Sequence, residues 1–84
     1  MELQICSIRD SKAEAHLNPM FFQSTPQAVR SFSDAVNDPQ TDFSKHPEDY
    51  MLFHLGSFDP RTGRIELLTQ PLALISGENL TEQG

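Results

Sequence analysis

Residues 25–65, TPQAVRSFSDAVNDPQTDFSKHPEDYMLFHLGSFDPRTGRI, decide the fold. Ala28, Val29, Phe32, Ala35 and Val36 recur at helical spacing and form one apolar stripe, with Arg30, Ser31, Ser33 and Asp34 between them. Pro26 keeps Thr25 out of the α region, which predicts Thr25 as N-cap and Pro26 as the first helical residue. Pro39 predicts an end near Asn37. A helix of about three turns is marginal alone in water, so it must dock. The strand at residues 50–58 is its expected dock. There Met51, Phe53 and Leu55 share one face, and Tyr50, Leu52, His54 and Phe58 the other. We expect Phe32 to rest on the odd-numbered face, leaving the second face to the Phe21 region, a second subunit or a ligand.

Working outward, Asp59-Pro60-Arg61-Thr62-Gly63 predicts a type I turn closed by a bulge, with Gly63 at the position requiring positive φ. The return strand spans residues 64–69. Pro71 interrupts it, making residues 72–75 an edge strand or a segment lying on the sheet. On the amino-terminal side, residues 2–8 alternate as a strand, residues 9–15 form a loop or single turn, and Asn18-Pro19 marks a break. Met20, Phe21 and Phe22 read as a brief strand, as a loop plugging the core, or as an aromatic platform for bases. The predicted fold class is α+β: one amphipathic helix packed on a small, mainly antiparallel sheet of three to four strands, a β-α-β-β core. Residues 1–75 make a single domain, and 76–84 a polar acidic tail expected to be flexible.

Eighty-four residues bury only about 60–65% of the unfolded surface, so a homodimer or small homo-oligomer is expected to supplement a thin core. No apolar run approaches the roughly 18 residues of a membrane span, so no membrane partner is expected. The single cysteine, Cys6, cannot form an internal disulfide and reads as a small core residue.

The net charge is −6. It opposes a generic phosphate-backbone binder, which needs a basic footprint. The charge is unevenly spread, however. Residues 1–33 are balanced, whereas in residues 34–49 five acids face Lys45 alone. Anion contacts must therefore come from the amino-terminal third or the hairpin. Candidate nucleic-acid contacts are Arg9, Lys12, Arg30, Arg61 and Arg64 for phosphates and Phe21, Phe22 and Tyr50 for stacking, the aromatic-plus-basic combination that holds single strands.

His16, His46 and His54 sit at no metal-ligand spacing, and the serines lie in no nucleophile-elbow context. The four glycines form no phosphate loop. No catalytic residue, metal or cofactor is expected. His46, Glu48 and Asp49 read as solvated charges near a helix start.

Asp10-Ser11-Lys12-Ala13-Glu14-Ala15, the run from Arg30 to Asp38, Lys45-His46-Pro47-Glu48-Asp49-Tyr50, Leu55-Gly56-Ser57-Phe58-Asp59 and Thr62-Gly63 follow one another in an order that resembles the small nonstructural protein of gokushovirus-type microviruses. These are tailless phages with circular single-stranded DNA genomes. The likeness spans roughly residues 3–68, with residues 21–27 matching loosely and His16 standing where something more apolar is expected. The resemblance implies a DNA-associated phage protein of the host bacterial cytoplasm, absent from the mature virion, acting as replication gives way to packaging. It brings no site residues with it. The expected function is therefore nonenzymatic association with single-stranded DNA. The alternative is an acidic adaptor that docks on a phage or host replication or procapsid protein without touching DNA.

Overall fold

The computed structural model describes residues 1–81. Five antiparallel strands form one sheet: β1 (Leu3–Asp10), β2 (Ala15–His16), β3 (Met20–Phe22), β4 (Tyr50–Asp59) and β5 (Arg64–Ser76). The strand order is β2-β1-β4-β5, with β3 also on β1. After β1 the chain doubles back through a tight turn. Asp10 Oδ1 accepts the backbone N–H groups of Lys12 (2.9 Å) and Ala13 (3.3 Å) there, and Glu14 takes φ 55°. Both β2 and β3 then lie along the same edge of β1, opposite Arg9–Asp10 and Gln4–Cys6 respectively.

Helix α1 (Thr25–Val36) crosses one face. Its N-cap is Ser24 rather than the expected Thr25. Ser24 is extended and its Oγ accepts the Gln27 N–H at 3.2 Å, while Gln27 Oε1 accepts the Gln23 N–H at 2.7 Å. The Ser-x-x-Gln spacing supplies this near-reciprocal cap, and Pro26 then occupies the second helical position rather than the first. Asn37 ends the helix as expected; its Nδ2 donates to Ser33 O and to Leu80 O, both at 2.9 Å. A four-residue helix α2 (Asp42–Lys45), capped by Thr41, and a 3₁₀ turn (Pro47–Asp49) lead into β4.

The core is Cys6, Ile8, Ala28, Phe32, Val36 and Leu52. Ile8 and Ile75 flank Leu52 in register, and Cys6 stands beside His54. The helix thus covers the even-numbered face of β4, not the odd-numbered face. Both faces of β4 alone are apolar. Neighbouring strands decide, because the even positions lie beside Cys6, Ile8 and Ile75 while Phe53 and Met51 lie beside Ser7 and Arg9. Phe43 extends this core by packing its ring edge-on against Phe32 (5.9 Å) and Tyr50 (4.7 Å).

A bulge at Leu55 reverses the pleat. Cys6 is opposite His54, but Ile5 is opposite Gly56, so Phe58 shares a face with Leu3, Ile5 and Phe53 instead of the expected one with Leu52. His54 spans the bulge. Its Nε2–H donates to Gly56 O (3.1 Å) and to Gln4 Oε1 (2.9 Å). Gly56 is required here, since a Cβ would meet Glu66 O at 2.2 Å.

Across the same point β5 has a wide bulge. His54 pairs with Leu72 and Gly56 with Leu67, leaving residues 68–71 opposite Leu55. Pro71 therefore breaks the ladder without ending the strand. The polar stretch that begins at Ser76 remains within the fold as far as Leu80, where a 3₁₀ turn (Gly77–Leu80) brings Leu80 against the core. Residues 82–84 of the expected tail lie outside the described residues.

Candidate nucleic-acid interface

Opposite the helix the sheet has an open face. Cross-strand partners share a face, so the register places Leu3, Ile5, Ser7 and Arg9 of β1 with His16, Phe21, Met51, Phe53, Phe58 and Ile65. Two edge-to-face ring pairs run along it, His16–Phe53 at 5.2 Å and Phe21–Phe58 at 5.6 Å between centroids. Among these strand positions there is one positive charge, Arg9, and no acid. Ser7 Oγ, fully buried, lies 2.6 Å from His16 Nδ1. That contact explains a polar residue at position 16: the imidazole satisfies a hydroxyl that water cannot reach. With the hydroxyl enclosed, the pair is built for support rather than for attack on a substrate.

The eight sequence-derived candidates divide among several surfaces. Arg9 and Phe21 belong to the open face, Phe21 being 51% exposed. Phe22 turns to the other side and packs against the core, as does Tyr50, whose ring meets Phe43. Burial first, then the nearby carboxylates Asp10, Asp42 and Asp49, push the Tyr50 hydroxyl above the usual tyrosine range. Such an electronegative surrounding is a poor seat for a phosphate. Arg30 is exposed on α1, away from the open face, and Lys12 lies in the β1–β2 turn. Arg61 and Arg64 occupy the hairpin. Tyr50 and Asp59 close opposite ends of β4, so that hairpin is about 30 Å from Arg9.

Sequence reasoning missed Phe53, Phe58 and His16. Alternation along β4 identified Phe53 as a face residue but assigned that face to the helix. The bulge that carries Phe58 over is marked only by Gly56.

The acids gather elsewhere. Asp10, Asp42, His46, Glu48 and Asp49 border an open hollow of about 720 Å³, with Lys12 and Tyr50 at its side. Within it His46, Glu48 and Asp49 bring one ligand atom each to within 4.8 Å of one another. His46 and Glu48 are exposed, however, and among the described residues no buried side-chain polar atom lacks a partner. This is the arrangement of solvated charges at a turn. A smaller hollow of about 140 Å³ at the Tyr50 end places Arg9 near Glu48 and Asp49, which tempers its positive potential.

No curated protein and no solved structure matches the chain. A family model described as "Phage ORF5 protein" matches residues 3–80. The match takes in every strand and helix of the fold, the open face and the hairpin included, and on that extent the chain belongs to the Phage ORF5 protein family.

Proposed function

We propose that this phage protein is a nonenzymatic partner of single-stranded DNA in a microvirus of the gokushovirus type, acting in the host cytoplasm during genome replication or packaging. The observation that carries the reading is the open sheet face, with its rings of Phe21, Phe53, Phe58 and His16 and the guanidinium of Arg9. Bases stack on exposed rings regardless of sequence, each such contact being worth about 1–3 kcal/mol. The strand positions of this face carry rings, exposed at Phe21 and His16 and half-buried at Phe53 and Phe58, and no acid, with Glu48 and Asp49 at its Arg9 end, while the chain as a whole stays at −6. Stacking therefore dominates, and phosphate contacts from Arg9, Arg61 and Arg64 are secondary.

The test is a fluorescence titration with a labelled single-stranded oligonucleotide at low and moderate salt. Phe53→Ala and Phe21→Ala are each expected to weaken binding by about 5- to 150-fold. Arg30→Ala, on the helix, is expected to leave it unchanged. The salt dependence should be shallow, with a slope of roughly −0.7 for each phosphate contacted. No binding at low salt, or equal losses from Arg30→Ala and Phe53→Ala, rejects the interface. A second reading, an adaptor docking on a phage or host protein, is favoured by Leu67 and Leu72, which are 72% and 56% exposed. It predicts no DNA binding at any salt.

A further inference from the structure

The far end of the β4–β5 hairpin stands clear of the helix. Residues 56–59 and 64–67 form this arm, and its side chains Ile65 and Leu67 are 54% and 72% exposed. The arm helps stretch the molecule to 44 Å, with a radius of gyration of 13.2 Å against about 12 Å for a compact chain of this length. β5 is also the terminal strand of the sheet, so its outer edge has no strand beside it among the described residues. An unpaired edge with apolar side chains is a template for another strand.

We infer that a second copy of this chain pairs with that edge, antiparallel and across a two-fold axis through Ile65. Three observations choose this occupant and register. The usable edge runs from Arg64, just after the turn at Gly63, to Leu67, just before the bulge at residues 68–71, so its centre falls at Ile65 or Glu66. Centring at Ile65 sets Arg64 of each copy opposite Glu66 of the other. An axis perpendicular to the sheet keeps every side chain on its own face, so it must pass through a residue and not between two, and a centre at Glu66 would oppose two carboxylates. Finally, the arm together with its turn carries Asp59, Arg61, Arg64 and Glu66, no net charge within a chain of −6, so two copies can meet there without like-charge repulsion.

The two-fold contact closes on itself and does not propagate. Ile65 meets its own copy on the open-face side, and Leu67 lies opposite Gly63, where space is free. Because the axis is perpendicular to the sheet, both open faces point the same way and make one continuous surface. The pairing stands whether or not that surface takes DNA. Its contact is short, below the roughly 800 Å² per partner of a stable complex, so the dimer is concentration-dependent.

Light scattering on the full chain over a concentration series tests this, with circular dichroism confirming the fold of each variant. The wild type is expected to pass from monomer to dimer. Ile65→Asp should stay monomeric, and Arg64→Glu should weaken association by about tenfold. The double exchange Arg64→Glu with Glu66→Arg should restore it. Ile65→Cys should form an intermolecular disulfide on mild oxidation, whereas Thr69→Cys should not; Cys6 is buried and does not compete. A wild type that is monomeric throughout overturns the inference. A dimer indifferent to Ile65→Asp overturns the site, and failure of the double exchange to restore pairing overturns the register.

Discussion

One hairpin has two fates along its length. Residues 51–54 of β4 pair with residues 72–76 of β5 beneath the helix, where Leu52 is fully buried and Ile75 packs on the core. Residues 56–59 pair with 64–67 beyond the helix, and there Ile65 and Leu67 face water. Strand propensity is similar in both halves. The difference comes from the break between them, where Leu55 and residues 68–71 interrupt both ladders and reverse the pleat. One half is held by packing, the other mainly by its ladder and turn. Apolar content along a strand therefore does not say what covers it.

The comparison breaks most readily in the covered half. Phe32 lies between Leu52, Ile8 and Phe43, and Phe32→Ala should cost about 3–5 kcal/mol. A chain of this size is stable by only about 4–12 kcal/mol, so the variant should be close to unfolding. Its urea midpoint measures this. A loss below 1 kcal/mol would mean that the helix does not hold the sheet.

Next is the junction. Gly56→Ala drives a Cβ into the Glu66 carbonyl and should cost about 1–3 kcal/mol. The loss should be uneven. Amide exchange should quicken in residues 57–66 while residues 5–8 and 28–36 keep more of their protection. Uniform loss across the chain would show that arm and core unfold as one unit.

How much of this was legible follows the same division. The helix was readable because Ala28, Phe32 and Val36 repeat at 3.6 residues and Pro39 fixes the end. The hairpin was readable because Asp59 favours a turn start, Pro60 has the φ the next position needs and Gly63 admits a positive φ without strain; the Gly63 and Thr62 N–H groups donate to Asp59 O at 2.7 and 3.3 Å. What failed was face assignment. A period of two says which residues share a side but not which side a helix takes, since that depends on partner strands far along the chain, at Ile8 and Ile75 beside Leu52. A one-residue bulge at Leu55 then moved Phe58 across the sheet, and with it a ring of the candidate interface. Phe22 and Tyr50 failed for the same reason: an aromatic residue in a strand is a platform or a plug according to register alone.

The helix start offers a smaller test of the covered half. Ser24→Ala removes the acceptor of the Gln27 N–H and should cost about 1 kcal/mol, whereas Thr25→Ala should cost far less. Equal effects from the two would return the cap to Thr25 and undo the Ser-x-x-Gln reading.

The smallest effect is expected at the tip of the uncovered half. In dilute solution Leu67→Ser should change stability by no more than about 0.5 kcal/mol, because a side chain already in water loses little when it becomes polar. Raising the concentration should separate the two proteins. If copies pair through the arm, pairing stabilises the folded wild type by mass action and its melting temperature climbs with concentration. Leu67→Ser, lacking the side chain that lies over the partner's Gly63, should climb less. Parallel curves for the two would leave Leu67 as exposed surface with no partner, and the contrast between the halves would then be one of covering alone.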